Sequence, residues 1–428
     1  MRLGLCKMAN CLAAVAFGIV SAGFSATFAQ GPNYDESKVP CYELPELLVS
    51  ECGIEINTPE AWKNIRRPEI LKQFQKTMFG KYPEADLSKL KFEEISSYDK
   101  FLDGKATVKT VRVYFNAPEK TPKMDLMVVV PNNRSGAVPA FLMPNFQGNH
   151  TTTDDPNIPA FFAEGSTHNR GKAPEEVRGI AKSRWAYDKI IAAGYAIVTV
   201  FYEEIDPDFD DGFQNGVHPL FTNFSLQNGD YPATISAWAW GLSRALDCLE
   251  TIPEIDAEKV IVLGHSRLGK TALWCGANDE RFAAVVSNDS GCGGAALSRR
   301  EFGETVKKIN TTFPHWFCAN FHEYGDCVNA LPIDEHELIA LIAPRPVYVA
   351  SATEDLWADP KGEFLSALNA EPVYRLFELE GLGVDEQPDP DEPVGTYIRY
   401  HLRTGKHDVT DFDWEQYIKF ANFVFSAK

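Results

Sequence analysis

The stretch richest in chemistry is Lys259-Val-Ile-Val-Leu-Gly-His-Ser-Arg-Leu-Gly-Lys-Thr-Ala-Leu. A β-branched run leads straight into Gly264-His265-Ser266-Arg267-Leu268-Gly269, and a helical run starts near Gly269. A serine on such a strand-to-helix turn sits in a strained conformation, with its hydroxyl pushed out of the sheet. Glycines on either side let strand and helix approach without Cβ clashes. The helix N-terminus beneath favours developing negative charge. This is the setting of a nucleophile, although the second glycine comes one residue later than in the common G-x-S-x-G. A serine that merely caps a helix is the plain alternative. The order of strand, turn and helix favours Ser266 as the nucleophile.

A serine nucleophile needs a base, and a base needs an orienting acid. In an α/β-hydrolase these follow the serine in the order acid, then histidine. His407 lies in Tyr400-His-Leu-Arg-Thr-Gly-Lys-His-Asp-Val-Thr, after the last strand-like segment and before a final helix holding Trp414 and Tyr417. Its Gly-Lys turn lets the ring project from a loop. The rival, His401, sits inside an apolar, strand-like stretch and reads as a buried structural histidine. Two carboxylates compete for the third place. Asp355 follows the Val347–Ala350 run in Ser351-Ala-Thr-Glu-Asp-Leu-Trp, the usual position after the next-to-last strand. Asp289 follows Ala283–Val286, one strand earlier, in Ser287-Asn-Asp-Ser-Gly-Cys-Gly-Gly. Either position can orient His407, and Asp355 fits the chain order better.

These residues require a scaffold of strands that end together. Thr107–Phe115 and Met124–Val130 read as antiparallel hairpin strands. From Ala140 onward short apolar runs alternate with helical segments: Ala140–Met143, a helix holding Trp185, Tyr195–Phe201, a helix over Ile235–Leu249, Val260–Leu263, Ala283–Val286 and Val347–Ala350. A further helical spacing starts at Pro68. The alternation predicts an α/β-hydrolase: a three-layer sandwich with a mostly parallel central sheet. No linker interrupts the chain, so residues 30–428 read as a single domain. Two long loops, 149–180 and 203–222, shape a site or its rim. The second carries Glu203, Glu204, Asp206, Asp208, Asp210 and Asp211. Its spacing matches no calcium loop, so it reads as a solvated acidic loop.

Composition sets outer bounds. The chain has 428 residues, 44% of them hydrophobic, enough for a large core. Its net charge is −19, which argues against nucleic acid and anionic membrane surfaces as partners. Residues 1–29 read as a signal peptide: Arg2 and Lys7, an apolar run over Leu12–Val20, and small residues at Thr27 and Ala29 before the cleavage point. The apolar run is short for a membrane span. A secreted or periplasmic location follows. Seven of the nine cysteines lie beyond the leader, and in an oxidising compartment Cys41 with Cys52 and Cys292 with Cys327 are candidate pairs. No C-x-x-C or other ligand spacing supports a metal, and serine chemistry needs no cofactor.

With these residues placed, a family resemblance emerges. Gly264-His-Ser-Arg-Leu-Gly-Lys270 resembles the G-x-S-R-x-G-K signature of glucuronoyl esterases, carbohydrate esterase family 15, in which the later glycine is the family's own pattern. Asn288–Arg300, Ile333–Arg345, Trp357-Ala-Asp-Pro360 and His401–His407 resemble the bacterial branch of the same family. The resemblance spans about residues 40–425. It implies hydrolysis of the ester between glucuronate, or 4-O-methyl-glucuronate, on xylan and an alcohol of lignin; the protein is expected to act as a monomer. The resemblance implies that Ser266 attacks the C6 carbonyl, with His407 as base. Arg267 and a backbone N–H would hold the oxyanion, Lys270 and Glu304 the sugar hydroxyls, and Trp357 the sugar face. At Asp289 the sequence departs from fungal relatives, which carry a longer glutamate. The rival readings are a carbohydrate acetyl esterase on the same scaffold and a catalytically silent carbohydrate-binding homologue. An intact Ser266, Asp355 and His407 argues against the silent form.

Overall fold

The apolar runs become the middle of one ten-stranded sheet with the order β1-β2-β3-β5-β4-β6-β7-β8-β10-β9. The computed structural model describes residues 31–426, apart from 118, 120 and 162–171. The leader read over residues 1–29 lies outside the described residues. The strands are β1 Lys91–Lys100, β2 Ala106–Tyr114, β3 Lys123–Pro131, β4 Val138–Asn145, β5 Ala196–Phe201, β6 Ile255–His265, β7 Ala284–Asn288, β8 Val347–Ala352, β9 Val394–Gly395 and β10 Ile398–Arg403. β1, β2, β3 and β5 pair antiparallel, and β9 pairs antiparallel with β10. From β5 through β4, β6, β7 and β8 to β10 every pairing is parallel.

Each central strand feeds two cores. Side chains alternate across a strand, so Val260 and Val262 of β6 pack into one cluster while Ile261 and Leu263 pack into the other. Ala140 and Leu142 part from Phe141 and Met143 in the same way on β4, and Val347 and Val349 from Tyr348 and Ala350 on β8. One core contains the helices Thr234–Leu249, Arg267–Asn278 and Pro360–Leu376; the other contains Tyr187–Ala192 and Asp411–Ser426. This is the three-layer α/β-hydrolase arrangement. Covering both faces explains why β5, β7 and β8 are buried at every position and read as largely apolar runs without polar alternation.

The register puts the site at one edge. His265 is the partner of Asn288, and Asn288 of Ala350, so β6, β7 and β8 end level with one another. The Ser266 N–H donates to the Asn288 carbonyl at 2.8 Å, and the Asp289 N–H to the Ala350 carbonyl at 2.7 Å. Ser266, Asp289, Asp355 and His407 therefore leave the carboxyl ends of four successive strands, where open α/β sheets collect their sites.

Several expectations need correction. Trp185 is not helical: it follows a single turn at Lys182–Arg184 and precedes the Tyr187–Ala192 helix. Its ring is buried and stacks on Tyr187, so packing rather than helical spacing places it. All seven described cysteines are free thiols, which removes both candidate disulfides. Cys292 is buried, whereas Cys327 is exposed and its thiol donates to the Glu323 carbonyl at 3.3 Å. The acidic loop is not simply solvated. Glu203 and Asp206 are buried, and Asp206 faces His218 at 3.2 Å. Strand β1 escapes a reading based on apolar pattern because it is a polar, exposed edge.

Candidate active site

Ser266 adopts φ 58° and ψ −130°, a strained conformation for a residue with a side chain. The flanking glycines are there for space. A Cβ on Gly264 would stand 1.8 Å from the Leu268 carbonyl oxygen, and one on Gly269 would stand 2.9 Å from Ser290 Cβ. The helix begins at Arg267. The N–H groups of Gly269 and Lys270 turn back to the Ser266 carbonyl at 2.8 and 3.3 Å. Those of Arg267 and Leu268 open the helix, where no intrahelical acceptor exists. Ser266, Arg267 and His407 line one cleft of about 480 Å³, together with Phe146, Gln147 and Trp185.

His407 projects from the loop after β10, with its side chain 40% exposed. Nδ1 lies 2.6 Å from Asp355 Oδ2 and 4.0 Å from Asp289 Oδ2. Asp355 therefore holds the ring, and Asp289 stands back. Asp289 is buried, takes φ 45°, and accepts the Asp408 N–H at 3.2 Å. Burial first, then the charges of Glu363 and Asp355, pushes its carboxyl well above the usual carboxylate range. Asp289, Asp355 and His407 have ligand-type atoms within 4.8 Å of one another. An Nδ1 that donates its proton to Asp355 has no lone pair left for a metal.

Arg267 extends from the residue after the serine and pairs with Asp208. Its guanidinium lies 4.7 Å from the Trp316 ring centre and 5.5 Å from that of Phe313. Lys270 is buried, and its ammonium donates to the Ser290 carbonyl. Burial lowers its pKa, opposed chiefly by the Glu304 carboxylate. Glu304 is pushed up by burial and drawn back by Lys270 and by a hydrogen bond from Trp357. The Glu304 N–H also donates to the Trp357 carbonyl at 2.9 Å. The structure thus joins Lys270, Glu304 and Trp357 in one cluster. Trp357 is its exposed member at 37%. None of the three lines the cleft around Ser266.

Three further groups carry the site without any signal in sequence spacing. Asp208 comes from the acidic loop. The His265 ring packs against that of His407, with ring centres 4.4 Å apart and planes tilted by 40°. Its Nδ1 meets Asn288 Oδ1 at 2.6 Å, and burial, followed by the His407 charge, keeps it neutral. Glu363 accepts from the N–H groups of Ser290 and Gly291 at 2.8 and 2.9 Å and from the Ser351 hydroxyl at 2.6 Å. His401, in contrast, is fully buried between Tyr348 and Asp413. A hydroxyl on a strained turn, a carboxylate-held imidazole and a cation in one cleft can perform acyl transfer through a covalent intermediate.

Comparison with known proteins agrees with this geometry. Residues 180–378 match the family model for glucuronyl esterase of fungi. A carbohydrate esterase of an unknown prokaryotic organism is 47% identical over 400 residues, 92% of each chain. A glucuronoyl esterase from Solibacter usitatus superimposes with a TM-score of 0.87 at 46% identity, over 91% of this chain and 100% of its own. The 4-O-methyl-glucuronoyl methylesterase 1 of Wolfiporia cocos is 33% identical over 242 residues, 53% of this chain and 55% of its own. The chain belongs to the glucuronoyl esterases, carbohydrate esterase family 15, and is a carboxylic ester hydrolase of the α/β-hydrolase fold.

Proposed function

We propose that the protein is an exported serine esterase that cleaves the ester between glucuronate or 4-O-methyl-glucuronate on xylan and an alcohol of lignin. The observation that carries this reading is the 2.6 Å bond between His407 and Asp355 in the cleft that also presents Ser266 and Arg267. Asp355 fixes Nδ1–H of His407, which leaves Nε2 free to accept a proton. Ser266 Oγ attacks the C6 carbonyl as His407 takes its proton. The tetrahedral oxyanion is met by N–H groups at the start of the helix and by Arg267. His407 then protonates the departing alcohol, and the acyl-enzyme remains. Water, deprotonated by His407, attacks the acyl carbon and releases the uronic acid and the serine. The Lys270–Glu304–Trp357 cluster supports a sugar acid as the acyl part, with Trp357 offering a ring face and Glu304 an acceptor for hydroxyls.

The test is a comparison of kcat/KM on benzyl glucuronate and on acetylated xylan, with Ser266→Ala as the blank. A clear preference for the glucuronate ester is expected. A preference for the acetylated polymer would replace this reading with that of an acetyl esterase.

A further inference from the structure

Arg267 reaches the cleft on a long chain of rotatable bonds, and a flexible cation is a poor oxyanion donor unless something fixes it. The structure supplies a fixture. Asp208 stands on the loop that follows β5, with its side chain only 3% exposed. Oδ2 accepts from Arg267 Nη1 and, at 2.6 Å, from the Tyr202 hydroxyl. Oδ1 accepts from His315 Nε2–H at 2.8 Å and Trp316 Nε1–H at 2.7 Å. Four donors meet the four acceptor sites of one carboxylate. The donors are themselves anchored. The carbonyls of His315 and Trp316 accept from Thr234 and Ile235 at the start of the Thr234–Leu249 helix, at 3.0 and 3.4 Å. Trp238 of that helix pins the Asp206 carbonyl at 2.8 Å.

We infer that Asp208 is the positioning residue of Arg267: it clamps one edge of the guanidinium against Trp316 so that the rest faces the carbonyl beside Ser266. The inference rests on the esterase reading above. It also changes what Arg267 contributes. An arginine paired with a buried carboxylate is close to neutral as a unit, so its contribution at the oxyanion is N–H direction more than net charge. Burial pushes the Asp208 carboxyl up, but hydrogen bonds from His315, Tyr202 and Trp316 and the Arg267 charge together hold it below the usual carboxylate range. The clamp therefore stays ionised at neutral pH. Direction matters little to the neutral ground-state carbonyl and much to the oxyanion, so loss of the clamp belongs in kcat and not in KM.

A double-mutant cycle tests this on whichever ester the wild type cleaves fastest, so that failure of the glucuronate preference does not disturb it. Asp208→Ala is expected to lower kcat about tenfold or more with KM nearly unchanged. In an Arg267→Ala background the same change is expected to cost less than about twofold, because the residue it positions is gone. Trp316→Phe keeps the ring beneath the guanidinium and removes one donor to Asp208. It should lower kcat by a smaller factor, and it carries the test if Asp208→Ala does not give a native melt. Equal losses in both backgrounds would overturn the inference. So would an effect confined to KM, or a folded Trp316→Phe with unchanged kcat beside a non-native Asp208→Ala.

Discussion

His407 Nδ1 and Asp355 Oδ2 are 2.6 Å apart, a separation at which a carboxylate orients an imidazole. Asp289 at 4.0 Å is outside that range, and burial, with the charges of Glu363 and Asp355, raises its carboxyl well above the usual carboxylate range. A carboxyl with a raised pKa is less ready to carry the charge that would face an imidazolium. Asp355→Ala should therefore lower kcat by about a thousandfold or more, and Asp289→Asn by less than about tenfold. Steady-state kinetics on the two folded variants decide between them. A larger loss from Asp289→Asn would move the orienting role to that residue.

Ser266→Ala should abolish turnover and labelling by a fluorophosphonate while the melting temperature holds, because alanine keeps the Cβ packing and the φ 58° conformation. Retained labelling would remove Ser266 from the mechanism. Arg267→Ala should cost about a hundredfold in kcat with little change in KM. A change in KM alone would make Arg267 a substrate-binding residue.

Trp357 is exposed and bonded to Glu304, which suits it to a sugar ring face. Trp357→Ala should raise KM for glucuronate esters several-fold and leave rates on a simple acetate ester unchanged. Lys270 is buried on the Ser290 carbonyl, so Lys270→Ala should lower stability as well as activity. Equal KM effects of Trp357→Ala on both ester types would show that it does not meet the uronate.

Two buried carboxyls should each contribute a loss of stability as pH rises from acid toward mildly alkaline. Burial raises Glu363 to about 8 and Glu337 to about 8. A carboxyl with a raised folded pKa contributes stability that is whole below its unfolded pKa, near 4.5, and is lost as pH rises through about 8. Each can contribute a slope of up to ~1.4 kcal/mol per pH unit in that window. Glu363→Gln keeps an oxygen for Ser290 and Gly291 and an amide for Ser351, and removes the titration. Its denaturation midpoint should vary less between pH 5 and 8 than that of the wild type. An identical pH slope would show that Glu363 is already ionised in the folded protein.

The sequence by itself determined most of the central strands and their order, but not the polar edge strand β1 or the turn that holds Trp185. Strands buried on both faces are apolar along most of their length, so β5, β7 and β8 announce themselves. The turn at Ser266 announces itself because Gly264 and Gly269 have no room for a Cβ. The chain order of serine, acid and histidine follows from strand order, which brought Ser266, Asp355 and His407 to one edge. The choice between Asp355 and Asp289 was left to tertiary structure, because it turns on 1.4 Å of reach and on burial that local sequence does not encode. Asp208 was invisible for a related reason. It reads as one acid among several in a polar loop, and only the fold sets it against Arg267, His315 and Trp316, residues 59, 107 and 108 positions away. Local pattern fixes which face is apolar. Pairings across such separations depend on how the loops close over the sheet, and there the physics is that of a buried carboxylate gathering every donor within reach.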